Sequence, residues 1–568
     1  MHFHALAADY DGTLAEHGAT GTETLGALRR LRASGRRLVL VTGREVEDLR
    51  HAFPHLTLFD RIVAENGAVL YDPAMGRERA LAPAPPAAFV QRLMEVGVEP
   101  ISVGRGIVAT WTPHEKAVLS AIAELGLDLQ ITFNKGAVMV LPAGVSKASG
   151  LKAALEELEL SPLNVVGVGD AENDHAFLRI CGASAAVANA IPALKHACDI
   201  VLECARGAGV VELIDRIVAE DARILPPERL GLPFCTDRSG AARHLGPQDS
   251  LLIAGGSGSS KSRFVTHLTE RMVEKRQEFC LIDPEGDYET LEGAIKIGDE
   301  EWPPSIDETV RLLGRTDLSI VVSTMALDLP GRHRFFERLL PALLDLRART
   351  GRPHWLIVDE AHHFLPRIDG AASAALGRDL AGTVLVTIEP SWLSADVLHG
   401  ISTVISLGRG AAGAMASFTR EAGLHPPPAR RCRPDEALLL SRGSPKACRP
   451  VRLGSPRQNH ERHKGKYALG DVGRERSFYF TDGNGRILGA ARNLAEFVTL
   501  AGQSPDSVWD RHLHSGDFGA WFLEVIRDEE LAQRAIELAE ARADVGHARS
   551  RIIAAIRERY VIPDRQPA

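Results

Sequence analysis

ALAADYDGTL, residues 5–14, runs a short apolar stretch into two aspartates and a turn, and the fold of the first third of the chain follows from it. Asp9 and Asp11 stand two residues apart, so an extended backbone places both on one side. Gly12 and Thr13 then turn the chain away. Three further apolar, β-branched runs end in the same manner: RLVLVTG at 37–43, DRIVAENG at 60–67 and NVVGVGD at 164–170. Between ALAADYDGTL and RLVLVTG lies ETLGALRRLRASG, whose leucines recur at helical spacing until Gly35 stops them. Alternation of this kind predicts a parallel sheet covered by helices on both faces, with the chemistry on loops at the strand C-termini.

Those loops carry a coherent set of groups. A carboxylate nucleophile in phosphoryl transfer needs a metal to offset its charge and a neighbouring acid to protonate the leaving oxygen. Asp9 and Asp11 supply the two carboxylates, Thr42 a hydroxyl and Lys147 in GVSKASGL a positive charge, while GDAEND adds Asp170 and Asp174. The set resembles the haloacid dehalogenase superfamily. ENGA at 65–68 and GDAENDHAFL at 169–178 are similar to its Cof-type, class IIB branch, and the likeness runs on through AAVANAIPALKHACDIV to about residue 218. The resemblance implies a Rossmann-like core with an α+β cap. It implies a phosphatase in which Asp9 becomes an aspartyl-phosphate and Asp11 is the acid/base. Mg²⁺ would then sit on Asp9, the Asp11 carbonyl and Asp170, with Asp174 outside them, and Thr42, Gly43, Lys147 and Asn173 would hold the phosphoryl group. The Pro/Ala-rich LAPAPPAAF begins a stretch, about 85–142, expected to be the cap, which favours a small phosphorylated metabolite of sugar-phosphate type.

A second α/β unit is expected over 240–452, after a Pro-rich linker at 219–239. Its SLLIAGGSGSSKS places a glycine-rich loop between a strand and a helix, where backbone N–H groups face polyphosphate. Gly255, Gly256, Gly258, Ser260, Lys261 and Ser262 form that loop, and HWLIVDE supplies Asp359 for a metal and Glu360 to polarise water. With IDPEGDY and TIEPSW, this unit resembles the HerA/FtsK group of P-loop ATPases. That implies bound ATP and a homo-oligomer, with Thr387 as a sensor-strand residue and Arg409 as a candidate arginine finger. The resemblance falters at Ser260, where the P-loop pattern has glycine. The readings are a phosphatase coupled to a nucleotide-binding unit, an oligomeric ATPase or translocase with an accessory phosphatase, and a nucleotide-sensing scaffold.

A basic linker, 453–465, leads to a small, mostly α unit at 466–568 that implies no chemistry of its own. The basic run at 460–466 is expected to be solvated, the aromatics near Trp509 and Phe518 to be core, and a single amphipathic helix to run from about Glu529 to Tyr560. Net charge −8 gives no global sign of a nucleic-acid partner, and the seven cysteines show no metal-ligand or disulfide spacing. The N-terminus lacks a signal-peptide pattern and no run is long enough to cross a bilayer, so a cytoplasmic setting is expected.

Overall fold

The computed structural model describes residues 1–134, 136–256, 259–315, 317–367, 371–408, 410–425, 433, 436–442, 448–457, 467–470, 472–526, 528–542 and 544–560. Gly258, Arg409 and the basic run at 460–466 lie outside the described residues.

The first sheet has eight strands in the order Ile200–Val201, Ala183–Ala186, Val165–Gly169, Ala5–Ala8, Arg37–Val41, Arg61–Ala64, Val69–Asp72, Arg77–Ala80. The first six are parallel, and the last two add antiparallel pairs. Ala8 lies opposite both Val168 and Leu40, so the residues that follow each strand emerge at one edge. Strands buried on both faces by helices need continuous apolar runs, and Ala5–Ala8, Leu38–Val41 and Val165–Val168 are fully sequestered. Within the span expected as cap, a four-stranded antiparallel sheet packs on the helices Ala87–Glu95 and Glu115–Glu124 through Phe89, Leu93, Val118 and Val140.

The second sheet has eleven strands, with Ser250–Ala254 between Thr403–Ser406 and Thr383–Thr387. Trp355–Val358 and Phe279–Asp283 follow beyond Thr383–Thr387, all in parallel. Two boundaries differ from those the sequence predicts. The stretch expected as a linker at 219–239 contains the strand Leu232–Asp237, which pairs with Ala242–Leu245 and Arg449–Leu453. Its prolines did not break it, since Pro233 sits where the register shifts at a bulge. The expected single closing helix is two, Glu529–Glu540 and Val545–Arg559. Arg542 takes a left-handed φ of 48° and the Asp544 carboxylate caps the second helix by accepting the His547 N–H.

In this C-terminal unit the hairpin Phe478–Thr481 and Ile487–Ala491 packs with the helices around Trp509, Phe518, Trp521 and Phe522. His512 is buried among these rings, whereas His514 is exposed and turned to the Asp510 carbonyl. The six described cysteines are free thiols, and no helix among the described residues is long and apolar enough to cross a membrane.

Candidate functional site

Asp9 leaves the end of the central strand with its N–H bonded to the Val168 carbonyl, which fixes it against the neighbouring strand and hence beside Asp170. Lys147 opens the helix Lys147–Glu157, whose start is fixed by a capping box between Ser146 and Ser149. Its Nζ donates to Asp9 Oδ1 and Asp174 Oδ1, each at 2.6 Å, in a fully buried setting. Asp174 is committed on its other oxygen as well, accepting the N–H groups of Asp170 and Ala171 at 2.8 and 2.9 Å. It therefore braces the loop that presents Asp170.

Charge explains the electrostatics. Ligand atoms of Asp9, Asp170 and Asp174 all lie within 4.8 Å of one another, and Lys147 is the one cation bonded to them in the hydrogen bonds above. Burial, then Asp174, push the Asp9 carboxyl up to about 7 despite the lysine. Burial alone would lower Lys147, but Asp174 and Asp9 together raise it above its usual value. An under-neutralised trio of buried oxygens with one committed member fits a hard divalent cation on Asp9 and Asp170.

Thr42 is buried at the end of its strand and its hydroxyl accepts the Arg44 N–H at 3.1 Å. Gly43 lies under Asn66, where a Cβ would come 3.3 Å from the amide nitrogen. Asn66 in turn accepts a hydrogen bond from Asn173 at 2.9 Å, so the phosphate-binding candidates Thr42, Gly43 and Asn173 meet through it. Glu65, Asn66 and Gly67 all take positive φ, a turn that brings the Glu65 carboxylate to the N–H groups of Arg105 and Gly106 in the cap. Burial raises Glu65 above the usual carboxylate range.

Asp11 pairs with Arg44. Arg44 holds both of its oxygens, Nε on Oδ2 and Nη2 on Oδ1, each at 2.7 Å. The sequence pattern gives no role to Arg44, which follows RLVLVTG, or to Glu65 and Asn66 of ENGA. Asn189 donates to the Gly12 carbonyl at 2.8 Å and to Asp170 at 3.4 Å, a role its sequence context does not signal. No spacing in the sequence signals such cross-loop partners.

In the second sheet the strand Ser250–Ala254 leads through Gly255 and Gly256 to Ser260, which takes φ 65° immediately before the helix Lys261–Glu274. Lys261 Nζ donates to the Gly255 and Gly256 carbonyls at 2.8 and 3.3 Å, folded back over the loop. Ser262 Oγ donates to Asp287 at 2.9 Å, a carboxylate the sequence reading left unassigned. The Asp283 side chain orders the turn that carries Asp287 by accepting four successive N–H groups, from Glu285 to Tyr288. Asp359 and Glu360 follow the strand Trp355–Val358, separated from the loop strand by Thr383–Thr387. Burial, then Glu360 and Asp287, hold Asp359 well above the carboxylate range. Thr387, at the end of the intervening strand, bonds its hydroxyl to His362 at 3.3 Å.

A family model described as haloacid dehalogenase-like hydrolase matches residues 6–95 and 114–214. Phosphoglycolate phosphatase 2 of Saccharolobus solfataricus is 36% identical over 118 residues, a match spanning 21% of this chain and about half, 49%, of that relative. Phosphoglycolate phosphatase of Aeropyrum pernix is 31% identical over 232 residues, covering 37% of this chain and 92% of that protein. The solved structure of a haloacid dehalogenase-like hydrolase from Bacteroides thetaiotaomicron covers 38% of this chain and 99% of its own at 17% identity and a TM-score of 0.34. Through this N-terminal region, the chain belongs to the haloacid dehalogenase-like hydrolase family.

Proposed function

We propose that the N-terminal unit is a phosphatase that hydrolyses a small phosphorylated metabolite through an aspartyl-phosphate on Asp9. The observation that carries this reading is the buried convergence of Asp9, Asp170, Asp174 and Lys147 at one sheet edge. Asp9 attacks phosphorus. Thr42 and Lys147 bind the phosphoryl oxygens, and Asp11 gives a proton to the departing ester oxygen, then takes one from the water that cleaves the acyl phosphate. Asp9, the Asp11 carbonyl and Asp170 would hold Mg²⁺, which would neutralise charge on the attacking carboxylate and the phosphoryl group. The relatives named phosphoglycolate phosphatase are a reason to test phosphorylated small acids beside sugar phosphates. Asp9→Asn removes the nucleophile and the charge, so hydrolysis of phosphate monoesters by the full chain falls by roughly 10⁴-fold or more. Retained turnover by a folded Asp9→Asn protein, checked by circular dichroism, sinks this assignment.

A second reading concerns the other unit. The meeting of Lys261, Ser262, Asp287 and Asp359 at the mouth of a strand–loop–helix turn supports an ATP·Mg²⁺ site coupled to the phosphatase. Lys261→Ala removes the cation that would reach the β- and γ-phosphates. Binding of a fluorescent ATP analogue to the full chain is lost in this variant; unchanged affinity refutes the site. A ring-forming translocase differs from a nucleotide-gated phosphatase in one respect: ATP would drive assembly visible by size-exclusion chromatography.

A further inference from the structure

Arg44 and Asp11 stand at the mouth of the phosphatase site rather than in its floor. The Asp11 side chain is 43% exposed and that of Arg44 25%, against 2% for Lys147. Both Asp11 oxygens are taken by the guanidinium fork. Arg44 does not depend on Asp11 for its place. Its Nη1 donates to Asp48 at 2.8 Å, four residues along, and its guanidinium lies 5.3 Å over the ring centroid of buried Tyr10. It stays where it is if Asp11 swings away. An acid that must serve the ester oxygen cannot do so with both oxygens held on a fork outside the site.

We propose that Arg44 exchanges carboxylates: the substrate's own carboxylate displaces Asp11 from the guanidinium and so frees Asp11 to act. This rests on the phosphatase reading and narrows its substrate class to phosphate monoesters whose short leaving group carries a carboxylate. One bidentate carboxylate replaces another on the same planar fork, so the exchange is nearly even in energy. A leaving group without a carboxylate leaves Arg44 on Asp11 and gains nothing from the exchange. Arg44 is thus a specificity residue for the substrate and a positioning residue for Asp11.

The test compares phosphoglycolate with ethyl phosphate, which has the same two carbons and no carboxylate, on the full chain with Mg²⁺. Wild-type protein prefers phosphoglycolate in kcat/KM. In Arg44→Gln that preference falls roughly 30- to 100-fold, because the fork is gone for one substrate and the restraint on Asp11 is gone for both. Arg44→Lys, which keeps the charge but loses the fork, gives an intermediate ratio and serves if the glutamine variant does not fold. A second readout is kcat on ethyl phosphate, which holds or rises in Arg44→Gln because Asp11 is released, whereas a merely structural loss lowers it. An equal fall on both substrates, or an active wild type indifferent to the carboxylate, overturns the exchange. Absence of wild-type turnover on every phosphate monoester tried overturns instead the phosphatase reading beneath it.

Discussion

At the scale of single residues, Ser260 shows how one side chain departs from its motif and what that costs. Glycine enters the left-handed region freely, whereas an L-residue with a Cβ is destabilised there by about 1 kcal/mol. Ser260 sits at φ 65° and gives the helix no side-chain cap in return. Ser260→Gly therefore raises stability by roughly 0.5–1 kcal/mol, measured by urea denaturation followed at the second unit. Equal or lower stability means the loop needs the hydroxyl. Asp9, Asp11, Thr42, Lys147, Asp170 and Asp174 are the site residues that the sequence proposes, because each closes or follows an apolar run. The Arg44–Asp11 fork is not legible there, since 33 residues separate the partners and neither spacing nor periodicity encodes a contact across two loops.

At the scale of elements, the helix Lys147–Glu157 illustrates how a side chain is delivered. Ser146 and Ser149 fix its first turn, and Gly150 lets that turn close on the Glu65–Gly67 turn, where a Cβ would lie 2.7 Å from the Gly67 Cα. That approach pushes Lys147 inward to Asp9 rather than out to solvent. The opposite failure marks the C-terminal unit. Its amphipathic pattern continues from the helix Glu529–Glu540 into Val545–Arg559, so periodicity alone reads one helix where left-handed Arg542 and the Asp544 cap divide it. The strand Leu232–Asp237 was missed for a related reason. Its partner Arg449–Leu453 comes more than 200 residues later, and prolines nearby suggest a linker until that partner is known.

At the scale of the whole molecule, a buried arginine joins the two α/β units. Arg352 Nη2 donates to the Glu159 carbonyl of the first unit at 2.7 Å and to the Gly314 carbonyl of the second at 2.9 Å, while Nη1 lies 3.5 Å from Glu278. Burial outweighs this guanidinium and pushes the Glu278 carboxyl up from 4.5 to about 7. The folded state then keeps a proton that the unfolded chain has already released between those values. Stability accordingly falls as pH rises through this window, by about 3 kcal/mol once Glu278 is ionised. Glu278→Gln flattens that slope, so thermal unfolding at pH 5 and pH 8 draws closer together than in wild type. An undiminished pH dependence places the titrating group elsewhere.

Sequence by itself determined the strand ends, the order of the acidic and basic groups upon them, and the glycine-rich loop, because these depend on local pattern and backbone chemistry. Only the tertiary structure decided which groups meet. The parallel register brings Asp9 beside Asp170, the close turn at Gly67 seats Lys147 between Asp9 and Asp174, and the bidentate fork of Arg44 holds Asp11 at the mouth. Such pairings arise from packing between segments far apart in the chain, where burial and charge act over ångströms rather than over residue number.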